Sequence, residues 1–257
     1  MITDSHCHLD KLDVSHYANG FPDLIEAAKA QEISQMLCIG VDTEQFDGMM
    51  DLIKDYDFIH ASAGLHPLGV KSLDTLALLE QQALHQKVVA VGETGLDYFY
   101  DKDNTALQQK AFAAHLDLSK RIRKPVIIHT RDANADTLAL LNSDADLDVG
   151  GVIHCFTEDW DMAKACLDLG FYISISGIVT FNNASRLRDV VKKLPMDRLL
   201  VETDSPYLAP APHRGKQNEP KFVREVAQYV ADLKGLTLLQ LANKTSSNFA
   251  DLFLTPR

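Results

Sequence analysis

Long apolar runs are missing from this chain. None approaches the roughly 18 residues that a membrane-spanning helix needs, so no membrane partner is expected. A basic, then apolar, then small-residue leader is missing as well. Removing an N-terminal leader would also remove His6 and His8, so the protein is expected to stay in the cytoplasm. Cysteine is sparse: Cys7, Cys38, Cys155 and Cys166 form no C-x-x-C pair and sit in apolar segments, which reads as buried, reduced thiols. Positive charge is also short. Lys and Arg number 25 against 36 Asp and Glu, a formal charge of −11. That excludes a long electrostatic track for nucleic acid. It leaves room for a nucleotide or strand end held by metal ions, which supply positive charge locally. Low-complexity segments and Pro/Gly/Ser-rich linkers are absent, and composition does not shift between the halves.

What is present is a rhythm of strands and helices. The 257 residues, 46% of them hydrophobic, are enough for one sizeable core. Short apolar runs typical of buried strands occur at 1–8, 35–41, 58–65, 88–93, 125–129, 150–156, 171–176 and 199–204. Amphipathic segments separate them, the clearest carrying Leu107, Ala111, Ala114, Leu118 and Ile122 on one face. Gly95–Tyr98 reads as a loop, and the tail supplies a long helix around Phe222–Leu233 and an amphipathic pair around Leu238, Leu241, Phe249 and Phe253. Alternation of this kind implies parallel strands, and eight of them imply a single-domain (β/α)₈ TIM barrel over 1–257. A doubly wound sheet would want a Gly-rich phosphate turn after the first strand, where this chain has His-Cys-His instead.

In such a barrel, chemistry sits where strands end. His6 and His8 end the first strand, on one face, with Cys7 on the other. His66 ends the third, Glu93 the fourth, His129 the fifth, His154 the sixth and Asp204 the eighth. Any one histidine at a strand end is ordinarily structural; so many at the same end of a barrel point to metal. Two histidines with Asp204 make three ligands for one ion, His129 and His154 make two for another, and Glu93 can give one oxygen to each. Two divalent ions roughly 3.5–4 Å apart with a bridging water is an arrangement that hydrolyses phosphate esters. Asp204 could ligate through one oxygen and take the water's proton through the other. Imidazoles favour Zn²⁺ or Mn²⁺, while carboxylate and water suit Mg²⁺.

Six segments, Asp4-Ser5-His6-Cys7-His8-Leu9-Asp10, Gly64-Leu65-His66-Pro67, Gly92-Glu93-Thr94-Gly95-Leu96-Asp97-Tyr98, Pro125–Arg131, His154-Cys155-Phe156 and Glu202–Leu208, run from the first strand to the last. Together they resemble the TatD family of metal-dependent hydrolases and deoxyribonucleases, among the wider amidohydrolase-like barrels. The resemblance implies two divalent ions held by His6, His8, Glu93, His129, His154 and Asp204. It also implies phosphodiester cleavage in DNA, with exonuclease activity known in the family.

Other residues keep open readings. His66 either contacts a phosphate or polarises the site, or makes an ordinary hydrogen bond. Arg131 either binds a phosphate oxygen or pairs with Asp132 or Asp136. Glu202, on the same strand face as Asp204, would orient a histidine. Tyr98 and Phe99 could stack on a base or simply pack. The loop carrying His213 and Arg214 is either a phosphate-guiding lid or an ordinary solvated loop; Cys7 and Cys155 read as core. The expected function is a deoxyribonuclease of the 3′–5′ exonuclease type acting on DNA ends or short single strands, with no obligate protein partner. The alternative is a deacylase or amidohydrolase acting on an ester or amide, such as an aminoacyl-tRNA. Related barrels of that kind usually bridge their metals with a modified lysine, and here the fourth strand offers Glu93. A non-catalytic metal-binding module would predict loss of Asp204 or of an open coordination position.

Overall fold

The computed structural model describes residues 1–255. Its eight strands are β1 (Ile2–Cys7), β2 (Ile33–Cys38), β3 (Ile59–Ala63), β4 (Val88–Asp97), β5 (Val126–Arg131), β6 (Gly151–Ile153), β7 (Tyr172–Ile175) and β8 (Leu199–Val201). They pair in parallel in sequence order to make one sheet. Helices α1 (Phe21–Ala30), α2 (Phe46–Ile53), α3 (Leu76–Ala83), α4 (Thr105–Ile122), α5 (Asn134–Asp144), α6 (Trp160–Asp168), α7 (Ser185–Lys193) and α8 (Val223–Lys234) follow the successive strands. Parallel neighbours need such crossovers, and the helices bury the outer face of the sheet. The expected TIM barrel is the architecture found.

Alternation along each strand makes two apolar layers. Met36 and Cys38 of β2 face outward into the helix-packed layer with Leu24, Ile25 and Ile53. Leu37 faces inward, with Ala90, Ile127, Val152, Tyr172 and Leu200. The tail, expected as an amphipathic pair, is one helix, α9 (Leu238–Phe249), continued by a π turn over Ala250–Leu254. Its Phe249, Leu252 and Phe253 join the inner layer. Asn248 Nδ2 donates to the carbonyls of Met196 and Leu199 at the start of β8, so this segment closes the floor at the strands' N-terminal end.

The seam between β8 and β1 is closed at the opposite end, largely by backbone beyond the strands. Asp204 N donates to His6 O at 2.9 Å and His8 N to Ser205 O at 2.7 Å. The buried Asp4 carboxylate accepts from Thr203 N at 2.8 Å and from Thr203 Oγ1 at 2.6 Å, tying the end of β8 to β1. Burial pushes the Asp4 carboxyl up to about 8, against the pull of those hydrogen bonds.

Strand limits differ from expectation at several ends: β2 stops at Cys38, β3 at Ala63 and β7 at Ile175, while β5 runs on to Arg131. β6 and β8 stop before His154 and Glu202, and β1 stops before His8. β4 does not give way to a loop after Glu93: Thr94–Asp97 pair with Ile128–Arg131 after a register shift that leaves Gly92 and Glu93 out of the ladder. Glycine permits this break. Gly92 has φ +133°, and a Cβ there would stand 2.6 Å from Ile127 O.

His115 of α4 is fully buried and holds the segment after β3. Its Nε2 accepts from Leu65 N at 3.0 Å, and Nδ1–H donates to Ala111 O at 2.6 Å. Burial pushes this imidazole down to about 4, so the folded chain keeps it neutral where an unfolded chain, with an ordinary value near 6.5, would take up a proton. Stability is therefore lost as pH falls below about 6.5, by about 2 kcal/mol at pH 5 from this group. In urea unfolding at pH 7.5 and pH 5, His115→Gln should show a smaller loss on acidification than the wild type by about that amount. Equal losses in the two proteins would contradict the assignment.

Candidate metal centre

The ends of β1, β4, β5, β6 and β8 deliver five side chains and a sixth, His8, to one point at the mouth of the barrel. His6 Nε2 and His8 Nε2 lie 3.3 Å apart. Asp204 Oδ1 is 3.6 Å from the first and 3.4 Å from the second. Glu93 Oε2 is 3.4 Å from His6 Nε2 and 3.9 Å from His8 Nε2. Its other oxygen, Oε1, is 2.8 Å from His154 Nε2 and 3.2 Å from His129 Nδ1. One buried carboxylate thus divides its oxygens between two groups of imidazoles. Asp204 reaches its place through a left-handed backbone, φ +57°, and Cys155, after His154, is similarly turned at φ +43°. Such conformations are uncommon for non-glycine residues.

The donor set suits cations. Two imidazole nitrogens 3.3 Å apart repel through their lone pairs unless a proton or a cation lies between them. Burial alone would push the Glu93 carboxyl up, yet the charges of His154 and His66 and hydrogen bonds from His129 and His154 hold it well below the usual range. Burial likewise raises Asp204, and the hydrogen bond from His8 with the charges of His6 and His154 outweighs it. Burial and the neighbouring His154 lower His6. For His154 burial is overcome by Glu93 and Glu202, which hold it well above its ordinary value. Among the described residues, His6–His8–Glu93, His66–Glu93–His129 and His6–His154–Glu202 each bring their donor atoms within 4.8 Å of one another.

Surrounding contacts decide which nitrogen each ring presents. Asp97, the last residue of β4, accepts from His129 Nε2 at 3.0 Å, leaving Nδ1 turned to Glu93. Its other oxygen accepts from Phe99 N and Tyr100 N, at 3.0 and 2.9 Å. Sequence reasoning gave Asp97 no role; continuing β4 past Gly95 would have placed it four residues beyond Glu93, on the same face. Glu202, expected to orient a histidine, stands beside His154: Oε1 lies 3.4 Å from Nδ1 without a hydrogen bond between them, and it accepts from Cys155 N at 2.7 Å. The parallel rings of His6 and His154, 3.9 Å apart, stand beside it.

His66 comes closer than its open reading required, with Nε2 3.3 Å from Glu93 Oε1. Its Nδ1 accepts from Leu68 N at 3.2 Å, so in the neutral ring the proton sits on Nε2, which suits a hydrogen-bond donor better than a metal ligand. Arg131 lies over the rings of Phe99 and Tyr100, at 4.2 and 4.6 Å, while Asp136 accepts from Tyr98 Oη and Gln109. Tyr98 is half-buried, with its hydroxyl committed to that bond; Phe99 is exposed. His213 stacks on Phe222 and faces Glu225, and Arg214 lies over Phe181. The structure gives both partners outside the histidine–carboxylate cluster. Cys7 is buried, whereas Cys155 is only half-buried, its sulfur 3.2 Å from Ser176 Oγ.

A family model described as TatD related DNase matches residues 3–254. The uncharacterized metal-dependent hydrolase YcfH of Escherichia coli K12 is 49% identical over 252 residues, spanning 98% of this chain and 95% of its own. The 3′-5′ ssDNA/RNA exonuclease TatD of Edwardsiella piscicida is 34% identical over 245 residues, 92% of this chain and 94% of its own. The crystal structure of YjjV, a TatD homologue from Escherichia coli K12, superposes with a TM-score of 0.90 at 30% identity, covering 99% of this chain and 98% of that one.

If Asp97 fixes the ring of His129, Asp97→Asn should leave the fold intact but weaken divalent-cation affinity by about 10–100-fold. Competition against a chromogenic chelator measures this. Unaltered affinity in the variant would remove Asp97 from the centre.

Proposed function

The chain belongs to the TatD-related DNase family and is a metal-dependent hydrolase; from that premise we propose that it is a two-metal phosphodiesterase that removes nucleotides from the ends of single-stranded DNA, as a 3′–5′ exonuclease. The observation that carries this reading is Glu93, with Oε2 toward His6 and His8 and Oε1 toward His129 and His154. That arrangement suits a carboxylate shared by two divalent ions, Zn²⁺, Mn²⁺ or Mg²⁺. His6, His8 and Asp204 would hold one, and His129 and His154 the other. When bound, two such ions lower the pKa of water and neutralise charge on the phosphate and the leaving oxygen.

The chain's own residues do the rest. Asp204, held below the usual carboxylate range by His8, is ionised at neutral pH and serves as general base through the oxygen not turned to the histidines. Asp97 and Glu202 keep His129 and His154 presenting one nitrogen each. His66, with its proton on Nε2, donates to a phosphate oxygen beside Glu93. The apolar floor keeps the reaction at the mouth, within reach of a strand end. The exonuclease of Edwardsiella piscicida supports the substrate class, and a glutamate where deacylases of this fold use a modified lysine speaks against an ester or amide. The cytoplasm is the setting, where buried thiols such as Cys38 and Cys166 stay reduced.

Metal-loaded protein incubated with 3′- and 5′-labelled single-stranded DNA, beside ester and amide substrates, should release mononucleotides from the 3′ end. Asp204→Asn should lower that rate by about 10²–10⁴-fold. Equal release by the variant, or turnover of esters alone, would count against the nuclease reading.

A further inference from the structure

Resting on the nuclease reading, we propose that unpaired bases beside the cleaved bond stack on two aromatic platforms flanking the metal centre. One is Tyr207; the other is Phe99 with Tyr100, backed by Arg131.

All the strongly exposed aromatic side chains among the described residues are these three: Phe99 at 48%, Tyr100 at 64% and Tyr207 at 55%. They lie on the loops after β4 and β8, at the end of the barrel where the histidines converge. Aromatic rings left in water at one place on a folded chain mark a contact surface. Tyr207 stands beside the first histidine pair, its ring edge-on to His8 with centroids 5.9 Å apart. Phe99 and Tyr100 stand beside the second group, linked to His129 through the single carboxylate of Asp97.

The backbone of each platform is tied to a residue of the centre or its surroundings. Tyr207 N donates to Asp204 O at 2.9 Å, and Tyr207 O accepts from Asn218 Nδ2 at 2.6 Å. Phe99 and Tyr100 pack edge to face at 4.8 Å, with the Arg131 guanidinium over both rings. A Phe or Tyr ring has only two side-chain torsions to lose on binding. Aromatic faces accept any base, whereas a duplex keeps its bases stacked and paired, so the platforms select unpaired nucleotides. The net charge of −11 sharpens the point: with little general attraction for a polyanion, affinity beyond the metal centre has to come from contacts that do not depend on charge.

The test uses the metal-loaded full chain, the double variant Phe99→Ala/Tyr100→Ala, Tyr207→Ala and the conservative Tyr207→Phe. Each is assayed on single-stranded oligonucleotides with natural terminal bases and on the same strands with abasic terminal nucleosides. Removing the bases should raise the wild-type KM about tenfold, with kcat little changed. Each alanine variant should show part of that rise on natural strands and a correspondingly smaller further rise on abasic ones, and Tyr207→Phe should retain the wild-type value. Thermal melts establish that the variants are folded. Cleavage that persists with the same dependence on bases in wild type and alanine variants overturns the platforms alone. A wild type that releases nothing from any oligonucleotide overturns the nuclease reading, and this proposal with it.

Discussion

Burying an ionised carboxylate is among the costlier things a fold can do, and it is stable only where opposite charge or hydrogen-bond donors surround the group. Glu93 is such a carboxylate, 2% exposed, with five imidazoles and a cation-seeking neighbour, Asp204, around it. Much of the barrel's irregularity serves that one group. The ladder between β4 and β5 breaks at Gly92 and Glu93 and resumes at Thr94, which turns the carboxylate inward without ending the strand. The resumed stretch then carries Asp97 to His129.

The barrel separates stability from chemistry along its axis. Its lower interior is apolar and plugged by Phe249, Leu252 and Phe253, with the burial of each such side chain contributing roughly 1.5–3 kcal/mol. Its upper interior is polar. The seam shows how the two are joined: His6 and Asp204 exchange a backbone hydrogen bond, as do His8 and Ser205. Residues proposed as metal ligands are therefore also residues that close the sheet. A substitution in their side chains can spare the seam, whereas a displacement of their backbone cannot, and the left-handed conformation of Asp204 lies where that coupling is tightest.

How much of this was legible in the sequence follows from what each feature depends on. The strand–helix rhythm is local, and apolar runs such as Val88–Val91 and Ile127–Ile128 show it directly. The convergence of His6, Glu93, His129, His154 and Asp204 follows from topology, because parallel strands in a barrel end together. Asp97 was not legible, since Gly95 reads as a turn and only pairing with Gly95–Asp97's partners, His129–Arg131, reveals a continuing strand. His115 was not legible either. On α4 it looks like one more residue of an amphipathic helix, and its bond to Leu65 N spans 50 positions. Arg131 was read through charge alone, and the rings of Phe99 and Tyr100, which come from another loop, gave it a different neighbourhood.

The polyanionic substrate proposed above sits oddly with an acidic protein until the charges are placed. Carboxylates on the outer helices, such as Glu26 and Asp51, already face lysines across single turns and are screened by solvent. Those at the mouth are buried and face imidazoles rather than lysines or arginines, a donor set that suits a cation. Two divalent ions there would reverse the sign of the field where a phosphate arrives, while leaving the rest of the surface repulsive. Attraction confined to one point favours a chain terminus over an internal stretch, because a terminus brings fewer other phosphates near the acidic surface. The exonucleolytic action proposed above is consistent with where the charge sits.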